Sequence, residues 1–287
     1  MKKKSLGNRA RSRAANAAIY TVLTLLGVLW LAPIAWLLIK SFQGERGAWL
    51  PYILPREFTL DNYVRLFTET GLFNYPRWYM NTLIVAIFTC IISTLMVLMI
   101  SYAFSRLRFP SRKKFMNAGL ILGMFPAFMT MIAVYHIFKA IGMVQSLTSL
   151  ILVYSTTAAL SYFVAKGFFD TIPRALDEAA LIDGASKNAV FWRIILPMSK
   201  PVVVYTALTS FIAPWVDFIF ASVIMKDNYQ NYTLAVGLFR MLERENIYEY
   251  FTRFCAGAVL VAIPITLLFI KMQKYYVEGI TGGSVKG

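Results

Sequence analysis

The chain has 287 residues, of which 58% are hydrophobic and only 15% charged, with a formal net charge of +15; ordinary globular chains carry about 25% charged residues. The charges crowd into short stretches and leave long apolar runs between them, which argues against a soluble chain and for a bilayer, where helices or closed barrels must satisfy every backbone polar group. Nucleic acid does not explain the positive charge, since no basic face stands beside a soluble core with nucleic-acid motifs; basic segments flanking membrane spans do.

Residues 1–16 carry Lys2, Lys3, Lys4, Arg9, Arg11 and Arg13 and no acid. The apolar run that follows, 17–39, is long enough to cross the hydrocarbon, which takes about 20 residues. No convincing small-x-small cleavage site follows it, so it reads as an uncleaved first helix. Residues 40–78 form an external segment with Pro51, Pro55 and Pro76. Within it Leu60, Tyr63, Val64 and Phe67 share one helical face, which predicts a short interfacial helix. Five more runs of spanning length follow: 79–104, 115–138, 147–169, 201–225 and 254–275. Ser155, Thr156 and Thr157 make the centre of the fourth run polar, and such hydroxyls bond back to their own helix or across to a neighbour. The fold class is therefore an all-α integral membrane protein of six spans. Its core covers 79–275, with inserted loops at 171–200 and 226–252, and a tail follows at 276–287.

Alternate loops sort into two sides. Residues 1–16, 105–114, 170–200 and 271–287 hold 18 Lys and Arg, against 10 in 40–78, 139–146 and 226–253. The first side is cytoplasmic by the positive-inside bias, which puts both termini inside the cytoplasmic membrane.

The informative stretch is the inner loop between the fourth and fifth runs. Pro173 suits a first helical turn. Gly184 can take the left-handed conformation that ends a helix, and Ser186 can cap the next one. Val190, Phe191, Ile194 and Ile195 make an apolar stripe. Pro197 stops that helix and Pro201 starts the next span. Ala175, Ala179 and Ala180 let another backbone approach closely, while Glu178 and Asp183 can fix its orientation. Such a hairpin suits a cleft on a soluble partner and can pass that partner's movement to the spans on either side. The structural alternative is an amphipathic hairpin lying on lipid.

Glu178, Ala179 and Ala180, then Asp183, Gly184 and Ala185, then Leu196 and Pro197, followed by Pro201, resemble the EAA loop of ABC importer permeases, the coupling helix that sits in a groove of the ATPase. Phe58 to Tyr63, Asn81 to Val85, Tyr102 to Pro110 and Tyr232 to Gly237 resemble the carbohydrate-uptake branch of that family. The tail from Gly279 is similar to the end of the six-span permease of maltose transporters. The resemblance implies a type I importer permease fold moving a maltose-like oligosaccharide. It implies as partners a homologous second permease, two copies of an ATPase and an external solute-binding protein. It also implies that 234–249 faces the binding protein, and that Gly283, Val285, Lys286 and Gly287 reach the ATPase.

The chain contains no G-x-x-x-x-G-K-[ST] phosphate loop, so ATP and Mg are expected on the partner, with no cofactor, metal or catalytic residue of its own. Cys90 and Cys255 read as small core residues, and the lone His136 as an interhelical hydrogen-bonder. Asp217 is the one acid placed well inside a span. It reads either as a pathway or gate residue or as a structural hydrogen bond near a helix break. Trp30, Trp36, Trp78 and Tyr79 read as interfacial anchors. The competing function is an ion-coupled secondary transporter, which would need paired broken helices and intramembrane ionisable sites.

Overall fold

A computed structural model describes residues 4–48, 52, 54–157 and 162–281. Among these the chain is helical, and the only strand-like feature is an isolated antiparallel bridge between Gln43 and Phe58. Contacts divide it into two units, Met1–Thr68 with Met241–Leu260, and Glu69–Arg240 with Val261–Gly287.

In the first unit α1 (Lys4–Ser41) contains an apolar stretch, Ala15–Ser41, that is long enough to span and has none of its most apolar window buried within the chain. Its exit is pinned by polar groups. The Asn62 amide donates to the carbonyls of Ser41 (3.0 Å) and Gln43 (2.7 Å), and the Thr252 hydroxyl donates to the Asn62 side-chain oxygen at 2.9 Å. Thr252 belongs to the first turns of α14 (Ile247–Thr281). The interfacial helix is present as α2 (Asp61–Thr68), but its buried face is Asn62 and Leu66. Leu60, Val64 and Phe67 are exposed, whereas Tyr63 is half-buried, its hydroxyl 2.6 Å from that of Ser41 and its ring 5.3 Å from Phe42. The expected apolar face is thus split, and the face that packs most closely is the one holding the Asn62 hub.

In the second unit α3 (Tyr75–Arg106) packs against α6 (Leu147–Thr157), α7 (Tyr162–Thr171) and α11 (Lys200–Val216). Asn74 caps α3 by accepting from the Arg77 N–H at 3.1 Å, and Pro76 sits in the first turn, where its missing N–H costs nothing. Small polar groups bring α3 and α11 together. The Ser93 and Ser210 hydroxyls lie 3.0 Å apart, and the Cys90 thiol donates to the Ala207 carbonyl at 3.3 Å. In lipid, where no hydrophobic drive joins helices, close packing of this kind and interhelical hydrogen bonds hold a bundle.

Three helices are long and apolar enough to span unbroken: Ala15–Ser41, Tyr75–Arg106 and Ile247–Tyr275. Up to three more spans arise if bent pairs are admitted, giving at most the six expected. The run 115–138 is not straight: α4 (Arg112–Gly123) and α5 (Ala127–Ala140) meet at 101°. Pro126 has no N–H to continue α4 and biases Phe125 out of the helical region, so the chain turns between them. The run 201–225 also breaks, at Asp217, which has φ −82° and ψ 109°; α12 (Ile219–Met225) follows. In the fourth run, Thr156 and Thr157 bond back to carbonyls of α6, to Leu152 and Val153. Residues 158–161 lie outside the described residues.

Candidate functional site

The stretch 172–200 folds as the expected hairpin. Its first arm is α8 (Arg174–Ile182), with Pro173 immediately before it. The arm ends in a Schellman turn: the Gly184 N–H donates to Leu181 O (3.1 Å) and the Ala185 N–H to Ala180 O (2.9 Å), with Gly184 at φ +84°. A Cβ at that φ would clash with the following carbonyl, so glycine is the residue that fits. Ser186 then caps the second arm, its hydroxyl accepting from the Ala189 N–H at 3.2 Å.

Pro197 does not stop this arm. The helix runs through α9 (Lys187–Val190), a π turn (Phe191–Ile195) and α10 (Leu196–Met198). A proline inside an α-helix collides with the carbonyl four residues back. The wider π turn just before it, with the Leu196 N–H donating to Phe191 O, takes up that collision. The chain turns instead at Ser199 (φ −101°, ψ 23°), and 187–198 meets α11 at 84°.

The hairpin shares its core with the spans. Val190, Phe191 and Ile195 are buried with Val97 and Leu98 of α3, Ala165 and Phe169 of α7 and Val202 of α11. Polar bonds fix the register. The Arg106 guanidinium donates to the carbonyls of Phe169 (2.6 Å) and Ile172 (2.8 Å) and lies 3.3 Å from the Asp177 carboxylate. The Tyr102 hydroxyl donates to Lys187 O at 3.1 Å, and its ring centroid is 4.8 Å from that of Phe191. Sequence reading missed Arg106 and Asp177. They are 71 positions apart in the chain, and nothing local marks either as the other's partner.

The motif residues divide between two faces. Ala180, Ala185 and Leu196 pack against the buried cluster. Glu178, Ala179, Asp183, Gly184 and Pro197 are exposed. Beside the exposed set Leu181 is 44% and Ile182 85% exposed. One side of the hairpin is therefore committed to the bundle, and the other offers two acids, small residues and bare aliphatic side chains.

Asp217 sits at the break between α11 and α12. The Tyr154 hydroxyl donates to its Oδ2 at 2.6 Å and the Phe220 N–H to its Oδ1 at 3.1 Å. The pair lines a cavity of about 760 Å³. Among the aromatics read as anchors, Trp30 is 77% exposed, whereas Trp78 is buried at 2%. Trp78 packs edge-on to Phe73 and against Gly237, which lacks the Cβ that would strike the indole. Tyr79 is half-buried and edge-on to Trp215 at 5.1 Å. His136 is exposed on α5 with its ring 5.6 Å from Tyr135. Gly283, Val285, Lys286 and Gly287 lie outside the described residues.

A family model described as the binding-protein-dependent transport system inner membrane component matches residues 7–280. The chain belongs to this family. It is thus a permease subunit of an ABC importer, an inner-membrane transport component and not an enzyme. Similar proteins from Bacillus subtilis (strain 168) include the galactooligosaccharides transport system permease protein GanQ, 37% identical over 93% of this chain and 94% of its own. They also include the maltodextrin transport system permease protein MdxG, 34% identical over 98% and 100%. Among solved structures, a bacterial ABC transporter involved in the import of the acidic polysaccharide alginate aligns with a TM-score of 0.79 at 22% identity, covering 93% of this chain and 98% of that one. At that identity the likeness concerns the fold alone.

Proposed function

We propose that this permease imports an oligosaccharide by alternating access, driven by a separate ATPase that docks on the hairpin 172–200 from the cytosol. The observation that carries the reading is the division of the hairpin's faces. Its inner face is fastened to three spans, so a push on the hairpin moves them. Its outer face presents Glu178, Ala179 and Ile182 without cover from this chain. A hairpin merely resting on lipid would need no buried ion pair to hold it upright. ATP and Mg belong to the partner: closure of two ATPase copies draws this hairpin toward that of a homologous second permease. The spans then rotate, and the central cavity opens toward a loaded external binding protein. Residues 234–249, with Phe239 and Tyr248 exposed, suit that contact.

The sequence pattern of the tail and of residues 232–237 favours maltodextrin. A galactooligosaccharide is the second reading, since GanQ is 37% identical. Identifying the sugar held by the cognate binding protein decides between them. The docking assignment is tested by detergent pull-down of the ATPase. Glu178→Lys reverses an exposed charge and is expected to abolish co-purification; Gly184→Pro, which cannot adopt φ +84°, is expected to do the same. Retention of the ATPase by both variants overturns the assignment.

A further inference from the structure

We propose that Arg108, Arg112, Lys113 and Lys114 form a binding site for the headgroup phosphate of an anionic membrane lipid, and that the bound lipid braces the hairpin 172–200. The four cations lie close together in the chain with no acid among them. Arg108, Lys113 and Lys114 are exposed and Arg112 is half-buried. Among the described residues none of these four side chains makes a hydrogen bond or an ion pair. The loop that carries them is nevertheless built. The Phe104 and Phe109 rings stack at 6.1 Å, and the Arg112 N–H donates to Phe109 O at 3.2 Å.

Nothing within the chain accounts for the cluster. Arg112, Lys113 and Lys114 open α4, whose first turn has no acid, and Ser111 gives it no side-chain cap. Cations at the positive end of a helix dipole oppose it, so their placement costs stability until an outside anion offsets it. Depth selects that anion. The apolar stretch of α3 ends at Arg106, just before Arg108, and Phe115, directly after Lys114, is 59% exposed. Clustered Lys and Arg beside the end of a span attract anionic lipid, and an apolar side chain next to them suits the lipid's chains. A soluble phosphate gains nothing from Phe115. Arg106 links the site to the hairpin, since it donates to Phe169 O and Ile172 O and pairs with Asp177. A headgroup that fixes the loop therefore fixes the place where the hairpin is fastened. None of this depends on an ATPase docking on the hairpin's other face.

The test uses the purified transporter complex in nanodiscs of phosphatidylcholine, alone or mixed with phosphatidylglycerol. With phosphatidylglycerol present, wild type is expected to melt at a higher temperature and to resist proteolysis in the hairpin. The gain should shrink as salt is raised, because exposed charges are screened within about 8 Å at physiological ionic strength. Native mass spectrometry should find phosphatidylglycerol retained by wild type and lost when Arg108→Gln, Arg112→Gln, Lys113→Gln and Lys114→Gln are combined. The two kinds of disc should then give that variant equal melting temperatures. Lys113→Gln alone, the milder change, is expected to weaken phosphatidylglycerol binding about fivefold. A wild type with no gain, or with a gain that ignores salt, overturns the proposal without any variant having to fold. Retention and gain that survive all four replacements overturn it as well. So does an equal gain from free glycerol phosphate in phosphatidylcholine discs, which would make this a site for a soluble anion. Loss of the ATPase from Lys113→Gln with phosphatidylglycerol still retained would give the cluster to that partner, and also overturns it.

Discussion

Arg106 is where the hairpin's attachment concentrates. Its side chain is 4% exposed and that of Asp177 15%, so the pair is almost wholly removed from water. Removing one partner of a buried pair strands the other charge and costs about 3–5 kcal/mol. Arg106→Met is therefore expected to lower the detergent melting temperature markedly and to free the hairpin for proteolysis, because Phe169 and Ile172 also lose their donor. The double variant Arg106→Met with Asp177→Leu should recover part of that loss, since no charge is then left buried. A double variant as unstable as the sum of the singles would show that the two residues act independently. Residues such as these were not legible in the sequence. Arg106 reads there as one more basic residue of an inner loop, and its role exists only once α3 and α8 are packed. Glu178 and Gly184, by contrast, were legible, because a helix end and a positive-φ turn are written into neighbouring residues.

At the scale of elements, the sequence was informative where local chemistry decides and silent where packing decides. The hairpin's arms, its Schellman turn and the Ser186 cap follow from residues within a few positions of each other. Apolar runs located helical segments, but hydropathy averages over a window and hides the breaks at Pro126 and Asp217. The π turn before Pro197 likewise leaves no mark on apolar spacing. Between α1 and α2, one side chain ties described residues on both sides of the loop. The Glu45 carboxylate accepts from the N–H groups of Arg56 (2.8 Å) and Glu57 (3.3 Å) and from the Tyr52 hydroxyl (3.4 Å). Desolvation pushes its pKa up, but these bonds and that from its own N–H outweigh it and hold the carboxyl below its ordinary 4.5. A depressed folded pKa means that the folded loop binds fewer protons than the open one. Its contribution is complete above about 4.5 and drains away as pH falls through the lower folded value. Hydrogen exchange at the Arg56 and Glu57 amides, corrected for intrinsic rates, should lose protection in that acid window. Glu45→Gln should remove the pH dependence, and a wild-type profile as flat as the variant's would show that another group holds the loop.

At the scale of the whole molecule, hydrogen bonds within the second unit sort the loops into two sets, independently of the charge count. Arg106, at the head of loop 105–114, is bonded to Asp177 of the hairpin, and Tyr102 to Lys187. Those two loops lie on one side. Gln145 O accepts from the side-chain amides of Asn228 (3.1 Å) and Asn231 (2.8 Å), and the Arg77 guanidinium donates to Gln230 O at 2.8 Å. Residues 77, 139–146 and 226–231 therefore gather together, as the alternation of spans requires of the opposite side. Which set is which is a prediction from charge: 18 basic residues against 10 are expected to put the first set in the cytoplasm. Single cysteines test this in a variant lacking Cys90 and Cys255, of which the first is half-buried and the second buried. Lys139→Cys and Asp227→Cys, both exposed in this chain, should react with a membrane-impermeant maleimide in intact spheroplasts. Ser111→Cys and Asn188→Cys, exposed in this chain, should react only after the membrane is opened. Labelling of Ser111→Cys and Asn188→Cys from outside would invert the topology and remove the hairpin from any cytosolic ATPase. Because the bonds tie each set together, the two members of a set must respond alike. A split response between Ser111→Cys and Asn188→Cys is a result that neither orientation of this bundle can produce.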